Sequence, residues 1–281
     1  MAIPILRLWR NYFDVHPDEG LGSSYERVVL NLKLEAFVER FQVQTVLEAP
    51  SFGFTGTSGI NSMELARKGC RVTLVDHDRE RIQKIQRVWE EVNLPIQTVL
   101  TRHYTALPFA DRSFDFSWNF AAIWFVKDLH DFLNELTRIT RKAIAVFVPN
   151  RMGMGFLMQK YLGREELKKY LNEQSIKPAV LKRVMKQLEW HLVESGYIDC
   201  PPWPDIGMPK ERFLQRLGLG RLVSQENSRP HRPLTILDYY RGVQPDFPER
   251  MMRYYWFEKY SPRWIKRFWS HHRYFLFSRS R

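Results

Sequence analysis

The sequence has few cysteines and no long apolar run, and both shortages limit what the protein can be. It contains only Cys70 and Cys200, which excludes a disulfide framework, a four-cysteine zinc site and a three-cysteine iron–sulfur cluster. Its first ten residues hold a short apolar run interrupted by Arg7 and Arg10, unlike the apolar core of a signal peptide. No stretch is apolar enough to span a bilayer. We therefore expect a cytoplasmic protein without a metal centre.

The composition is that of a globular protein with an uneven charge. Of 281 residues, 44% are hydrophobic and 26% are charged, so disorder is not expected. The net charge is +12, and residues 201–281 contain sixteen Lys and Arg against seven Asp and Glu. Such a localised basic segment favours an anionic partner, such as nucleic acid, a phosphorylated substrate or an acidic membrane surface, although solubility alone also explains it.

Between residues 41 and 150, short β-branched runs alternate with helical patterns. This alternation is typical of a parallel sheet covered by helices. It predicts an α/β fold: a Rossmann-like, doubly wound seven-stranded sheet with helices on both faces, plus helical N-terminal and C-terminal additions. The predicted strands of this part are 45–47, 71–75, 97–100, 114–118 and 143–148, and the helices between them are 62–67, 80–92 and 128–140.

The flanking segments predict further helices and the last two strands. Residues 25–41 have the pattern of an amphipathic helix. Residues 165–194 are predicted to be helical, with Gly196 as the cap before a short strand at 197–200, and 273–277 is predicted to be the final strand. We expect three parts: an N-terminal helical lid (1–42), a ligand-binding core (43–150), and a substrate-cap region (151–281) that includes the closing strands.

A glycine-containing turn joins the first predicted strand to the next helix. Gly53, Gly56 and Gly59 would allow a close approach of the backbone to a ligand and aim helix N–H groups at an anion, or they only relieve a tight turn. Asp76 ends the second strand, where a doubly wound fold binds ribose hydroxyls, or it caps the following helix. The order of turn, strand and acid favours a nucleotide-like ligand.

These motifs together resemble the class I S-adenosylmethionine-dependent methyltransferases, most closely their type 11 branch, which acts on small molecules. The resemblance covers roughly residues 43–150, and the strands at 197–200 and 273–277 are similar to the antiparallel pair that ends that fold. Its most specific piece is the run LPFADRSFD at 107–115. It implies S-adenosylmethionine as the cofactor and a methyl transfer as the activity.

The family pattern, carried over to matching positions, implies which residues bind the cofactor. The first strand and its turn would hold the methionine end, Asp76 the ribose, and the residues after the second and third strands the adenine. The full set is Glu48, Ala49, Gly53, Gly56, Gly59, Asp76, His77, His103, Tyr104, Asn119 and Phe120. His103 stands where the family commonly has an acid, the turn is longer than usual, and Pro50 replaces the expected first glycine.

Methyl transfer needs few dedicated side chains, because the sulfonium carbon is already activated and the protein mainly positions the reactants and excludes water. Carboxylates and aromatic faces near the sulfonium would offset its charge, and Glu48, Asp76, Phe120 and Trp124 are candidates. An acceptor that must lose a proton would need a base, for which His103, His130 and His231 are candidates, although each could equally be a surface or structural imidazole.

The acceptor is the least constrained part of the prediction. Eleven aromatic residues lie among basic ones between Arg250 and Phe277. Three interpretations are open: core packing with Trp264 and Trp269 turned inward, a substrate cap or membrane-surface face, and binding of RNA or DNA. We favour a small-molecule or lipid-like substrate with a possible anionic membrane surface, and nucleic acid is a weaker alternative. Two rival functions are a catalytically degenerate methyltransferase-fold scaffold and an RNA-directed methyltransferase. A nicotinamide-dependent oxidoreductase is more distant, because its glycine spacing is absent.

Overall fold

The computed structural model describes residues 9–14, 18–52, 56–162, 172–203 and 234–279. Two predicted site residues, Gly53 and His231, lie outside these ranges, as does the first part of the helix predicted at 165–194.

One mixed sheet of seven strands organises these residues, in the order β3-β2-β1-β4-β5-β7-β6. Strands β1 to β5 pair in parallel, whereas β7 runs antiparallel to both β5 and β6. The predicted Rossmann-like sheet with a closing antiparallel strand is thereby confirmed. The strands are β1 (Thr45–Glu48), β2 (Arg71–Asp76), β3 (Gln97–Leu100), β4 (Phe114–Phe120), β5 (Thr140–Pro149), β6 (Trp190–Ile198) and β7 (His272–Arg279).

The central strands are apolar because helices cover both of their faces. All seven residues of β4 are buried, and so are all residues of β5 except Arg141 and Lys142. The edge strand β3 has no buried position, since only one neighbour covers it. Buried parallel strands read as near-continuous apolar runs, which is why the sequence predicted β1 to β5 to within a few residues.

The helices of the described ranges follow the predicted order. Two of them begin at aspartate caps: the Asp78 carboxylate accepts from Arg81 N at 3.1 Å, and the Asp128 carboxylate accepts from Asp131 N at 3.0 Å. The helices are α1 (9–14), α2 (Gly20–Phe41), α3 (Met63–Arg67), α4 (Arg79–Glu91), α5 (Leu129–Ile139), α6 (Met154–Leu162), α7 (Pro178–Gln187), α8 (Leu237–Tyr240), α9 (Phe247–Met252), α10 (Tyr255–Tyr260) and α11 (Arg263–Trp269).

The helix predicted to reach Glu194 is wrong at its C-terminal end. The described part contains α7, which ends at Gln187, and residues 190–198 form β6 instead. Gly196 is therefore not a helix cap. It lies opposite Tyr274 in the β6–β7 ladder, where an added Cβ would come within 2.7 Å of the Tyr274 hydroxyl. Pairing with a strand about eighty positions away decided this segment, and no local pattern reports such a partner.

Helix α2 is buried more completely than an amphipathic surface helix. Every residue from Ser24 to Asn31 is buried, including Glu26 and Arg27. Helix α9, from the C-terminal part of the chain, packs against α2. No helix among the described residues is both long and apolar enough to cross a membrane.

Candidate functional site

The carboxyl ends of β1, β2 and β4 meet at one edge of the sheet and carry the predicted polar residues. Glu48 ends β1 and Asp76 ends β2, and each carboxylate-bearing residue is only 1% exposed. Asn119 and Phe120 end β4, on the other side of β1. In doubly wound sheets ligands bind at this edge, where the strand order reverses. The fold thus brings four of the predicted site residues together.

The Asp76 carboxylate is fully engaged by neighbouring groups of the chain. Arg81 donates to both of its oxygens, from Nε at 2.7 Å and from Nη2 at 2.5 Å. Ser51 Oγ and the backbone N–H of Asp78 also donate to it. The Arg81 guanidinium is in turn stacked near the Trp9 and Phe52 rings, 5.2 Å from each centroid. Arg81 was not identified from the sequence, although its position five residues after Asp76 on a helix allows the pair.

A second ion pair of the chain, between Glu19 and Arg27, holds the glycine turn. Glu19 Oε1 accepts the backbone N–H of Thr57 at 3.0 Å, and Arg27 donates to the Thr57 carbonyl at 2.9 Å. Glu19 and Arg27 also pair with each other at 3.4 Å, both fully buried. Gly56 has φ +52°, and a Cβ there would collide with the Glu19 carboxylate. A carboxylate of the chain itself therefore accepts a backbone N–H of this turn.

Gly59 and Glu48 lie deeper at the base of the turn. Gly59 has φ +74° and contacts Ile85 so closely that a side chain would not fit. The Glu48 carboxylate accepts a hydrogen bond from Ser62 Oγ at 2.6 Å. Burial raises the pKa of Glu48 to about 7, although hydrogen bonds from Ser62 and Asn61 oppose the shift. Ala49, the next residue, is fully buried and donates its N–H to the Trp118 carbonyl.

An aromatic cluster follows Asp76 along the same edge. His77 Nδ1 lies 3.2 Å from the Tyr104 hydroxyl, and the His77 ring meets the Phe52 ring at 4.8 Å. Burial lowers the pKa of His77 and raises that of Tyr104. Of the two neighbouring candidates His103 and Tyr104, His103 is exposed on the loop after β3, and Tyr104 is the one that contacts the aromatic cluster.

Asn119 and Phe120 lie at the centre of the edge. Asn119 is completely buried, and neither its Oδ1 nor its Nδ2 has a hydrogen-bond partner in the described part of the chain. Such an unpaired amide is costly unless a ligand satisfies it. The Phe120 ring packs on the His272 ring at 4.6 Å. Trp124 is buried just beyond them, and its Nε1 donates to the Ala121 carbonyl.

The remaining base candidate within the described ranges is His130. It is exposed at the start of α5 and its Nδ1 lies 3.4 Å from the neighbouring Asp131 carboxylate.

A buried cluster that the sequence did not reveal lies closer to Phe120. The cluster consists of Glu26 from helix α2, Asp199 just after β6, and His272 at the start of β7. Burial alone would raise the pKa of Asp199, but His271 and His272 outweigh it and hold that pKa below its usual range. The only local signal for this cluster was the His271–His272 pair.

A cavity of about 390 Å³ opens beside the carboxyl end of β5. Helix α6 and the start of α7 form its apolar side, and Phe156 in its wall stacks on Trp124 with centroids 6.4 Å apart. Three basic residues also line it, Arg151, Lys160 and Arg273. Nε of Arg151 and Nε of Arg273 are buried, and neither has a hydrogen-bond partner among the described residues.

The C-terminal aromatic segment follows only part of its core-packing interpretation. Trp269 is partly buried and donates to the Pro201 carbonyl at 2.7 Å, but Trp264 is 67% exposed. Of the three interpretations left open, core packing with both residues turned inward fails for Trp264, since α11 has no buried residue.

Comparisons with known proteins agree with this architecture. The type 11 family model, described as a methyltransferase domain, matches residues 54–147. No curated protein matches the chain by sequence.

Solved structures match over most of the chain. A protein from Galdieria sulphuraria described as a sarcosine dimethylglycine methyltransferase is 14% identical, with a TM-score of 0.52 over 89% of this chain and 84% of that one. A SAM-dependent methyltransferase from Archaeoglobus fulgidus is 13% identical, with a TM-score of 0.51 over 90% and 94%. The cyclase SpnF is 13% identical, with a TM-score of 0.50 over 89% and 80%. At these identities the likeness shows the fold alone. SpnF, described as a [4+2]-cyclase, has that fold with an activity other than methyl transfer.

Proposed function

Because residues 54–147 form a methyltransferase domain of the class I S-adenosylmethionine-dependent family, type 11, we propose that the protein methylates a small or lipid-like acceptor with an apolar body and an anionic group. S-adenosylmethionine is the cofactor that this family implies. The cavity beside β5 is the observation that carries the choice of acceptor, since it combines apolar walls with Arg273, whereas Arg151 and Lys160 already pair with Glu173.

The residues at the sheet edge fit the cofactor. A buried acid at the end of β2, a turn with left-handed Gly56 and Gly59, and the unpaired Asn119 amide offer the groups that a ribose and an amino acid moiety need. The cofactor can bind there only if two contacts within the chain are broken. Arg81 must release the Asp76 carboxylate, and Glu19 must release the backbone N–H of Thr57 in the turn. When bound, the cofactor supplies an activated methyl group on a sulfonium.

The chain's own residues then have simple tasks in the transfer. Asp76 would hold hydroxyls, and Asn119 would hold polar groups of the methionine end. Phe120 and Trp124 would exclude water and face a cationic centre with their rings. Burial raises the pKa of Glu48 to about 7, so both its protonated and its ionised form are present near pH 7, and the carboxyl can donate or accept a hydrogen bond there. In-line geometry, rather than a dedicated base, would supply most of the rate enhancement.

Arg273 is the residue best placed to recognise an anionic acceptor. Its guanidinium lies between the Tyr197 ring, at 5.4 Å, and the Phe275 ring, at 5.0 Å. Burial lowers the pKa of Arg273, and nearby Arg263 and Arg267 act in the same direction. An anion in the cavity would relieve this penalty and accept from the unpaired Nε.

The test is a turnover assay that follows S-adenosylhomocysteine release with matched acceptor pairs, each an acyl or aromatic body carrying a carboxylate or the corresponding neutral amide. We expect the carboxylate member to be preferred, and Arg273→Met to raise its KM at least tenfold without changing that of the amide. Arg279→Met, on the exposed end of the same strand, is the matched control. Equal turnover of the carboxylate and the amide by the unaltered protein would overturn the proposal of an anionic acceptor. Absence of turnover while the cofactor is bound would overturn the proposal of methyltransferase activity.

A surface next to the cavity supports an anionic membrane as the source of the acceptor. Four aromatic residues at four-residue spacing are exposed on α10 and α11, by 43% to 73%: Trp256, Tyr260, Trp264 and Phe268. Lys259, Arg263 and Arg267 lie among them and are exposed as well. Aromatic side chains with interspersed basic residues suit the interface of an anionic bilayer. Helix α11 also contacts α6, which lines the cavity.

Vesicle co-sedimentation tests this surface with phosphatidylcholine alone and with added phosphatidylglycerol. We expect binding only with the anionic lipid and at least a fivefold loss in Tyr260→Ser/Trp264→Ser. Leu100→Ser, an exposed apolar residue on β3 at the far edge of the sheet, is the control. Absence of vesicle binding, or tighter and steeply salt-dependent binding to an RNA oligonucleotide, would overturn the membrane proposal.

One observation favours the scaffold alternative. Arg81 and Glu19 already satisfy the groups that would bind the cofactor, as expected of a site that has lost its ligand. A titration with S-adenosylmethionine and S-adenosylhomocysteine, with NADH as a control, separates the two functions. Saturable binding of both sulfur nucleotides supports the enzyme, and binding of neither would favour the scaffold.

A further inference from the structure

A buried cluster of two carboxylates and an imidazole lies beside the methyl-transfer edge and is not used by the proposed chemistry. Glu26 belongs to α2, Asp199 follows β6, and His272 begins β7. They are 8%, 1% and 8% exposed. One ligand atom from each lies within 4.8 Å of the other two. Three separate elements thus converge on one small volume.

The spacing within this cluster suits a metal ion better than direct hydrogen bonds. His272 Nδ1 lies 3.5 Å from Glu26 Oε2 and 3.7 Å from Asp199 Oδ2, longer than ordinary N–H···O bonds of about 2.7–3.2 Å. Ligands at about 2.0–2.2 Å from a tetrahedral zinc ion are separated by about 3.3–3.6 Å along each edge. The separation of His272 Nδ1 from Glu26 Oε2 lies within that range, and its separation from Asp199 Oδ2 lies just above it.

Two potential ligand atoms in the cluster lack hydrogen bonds. Asp199 Oδ1 and His272 Nδ1 are buried, and neither has a hydrogen-bond partner within the described ranges. Leaving such buried groups unsatisfied costs stability, whereas a cation would satisfy both. Two carboxylates and a neutral imidazole would also balance the charge of one divalent ion.

The surroundings resemble the outer shell of a metal site. His271 Nδ1 is 2.7 Å from Asp199 Oδ2, which would orient the Asp199 carboxylate toward an ion. The Phe120 ring, 4.6 Å from the His272 ring, restricts the orientation of that imidazole. A mixed nitrogen and oxygen set of three residues suits zinc, because magnesium and calcium require about six or more oxygen ligands.

We propose that Glu26, Asp199 and His272 form a zinc site that joins α2 to the ends of β6 and β7. The ion would fasten these elements at the carboxyl edge of the sheet, beside Phe120. The sequence predicts no metal centre, and the ligands are separated by more than seventy positions, so no motif spacing could reveal them. This inference does not depend on methyl transfer, and each can fail alone.

The experiment uses the full chain, stripped with a chelator and dialysed, and then titrated with Zn²⁺ or Mg²⁺. We expect one equivalent of Zn²⁺ to bind with a dissociation constant of micromolar or lower and to raise the thermal unfolding midpoint, while Mg²⁺ has no effect. Cobalt substitution provides a spectroscopic readout, since a tetrahedral site gives intense visible absorption. A folded protein that retains no Zn²⁺ after titration, or a Co²⁺ spectrum of the weak octahedral kind, would overturn the site.

Ligand variants locate the ion. Glu26→Gln and His272→Gln keep the side-chain size and should weaken zinc binding at least tenfold, whereas His191→Gln, an exposed histidine on β6, should leave it unchanged. Equal zinc affinity in all three variants would assign the bound ion to another place and overturn the proposal. If a ligand variant does not fold, stoichiometry and the cobalt spectrum of the unaltered protein still decide the question.

Discussion

Arg81 and Asp76 form a buried bidentate ion pair at the carboxyl end of β2, with Nε 2.7 Å and Nη2 2.5 Å from the two carboxylate oxygens. The side chains are only 7% and 1% exposed. The acid predicted to bind the ribose is therefore neutralised by the chain's own guanidinium. Under the proposed function, cofactor binding exchanges one partner of Asp76 for another.

Arg81→Met should tighten the binding of S-adenosylhomocysteine, because it removes the internal competitor for Asp76. The same change should destabilise the protein without ligand by about 3 kcal/mol, since it leaves a buried carboxylate unpaired. Calorimetric titration and urea unfolding measure the two effects. An affinity that falls together with stability would mean that Arg81 contacts the cofactor instead of competing with it.

Asp76→Asn should weaken the binding of both S-adenosylmethionine and S-adenosylhomocysteine at least tenfold, because it removes the negative charge and replaces one of the two acceptor oxygens with an NH2 donor, so a ribose diol loses a charge-assisted acceptor. The measurement is the same titration, made on protein with a native circular dichroism spectrum. Asp111→Asn, an exposed acid paired with Arg138, is the control. Unchanged affinity in folded Asp76→Asn would remove Asp76 from the site.

Glu48→Gln should change how stability depends on pH. The folded pKa of Glu48 is about 7, above its ordinary value near 4.5, so the folded state binds more protons than the unfolded state between these values. The carboxyl therefore reduces stability as pH rises from about 4.5 to 7, by up to about 3 kcal/mol. Urea unfolding at pH 5 and pH 8 should show a smaller decline in the glutamine variant. Parallel declines in both proteins would contradict the raised pKa.

Gly196→Ala should destabilise the protein by about 1–3 kcal/mol, because the new methyl group meets the Tyr274 ring and hydroxyl at 2.7–2.9 Å. Chemical denaturation checks this value. Ser195→Ala, the neighbour on the same strand, should change the unfolding free energy by less than about 0.5 kcal/mol. A neutral Gly196→Ala would argue against the β6–β7 register.

Asp128→Ala should cost about 1 kcal/mol, because it removes the side-chain cap that accepts from the Asp131 N–H. Asp128→Ser retains a capping oxygen and should recover most of the loss. The unfolding midpoints of the three proteins test the cap, and equal losses in both variants would show that the carboxylate matters for another reason.

The sequence alone determined the parallel core and the order of its candidate ligands. Strands β1, β2, β4 and β5 contain short apolar runs, both acids of the site end a strand, and the glycines lie in the turn after β1, so strand ends and site residues could be placed together. The caps at Asp78 and Asp128 are equally local, although the cap considered for the first of these helices was Asp76, and Asp78 is the residue that caps it. Such features depend on neighbours within a few positions, and sequence patterns report those neighbours.

Only the tertiary structure decided the parts that depend on distant partners. Residues 190–194 became a strand because β7 offers hydrogen bonds there, and Trp264 became exposed because nothing covers α11 on that side among the described residues. Glu26, Asp199 and His272 converge from three elements, and Glu19 reaches the glycine turn across thirty-eight positions. Burial and pairing between remote segments set these outcomes, and the local propensity of a segment carries no information about the partner it will meet.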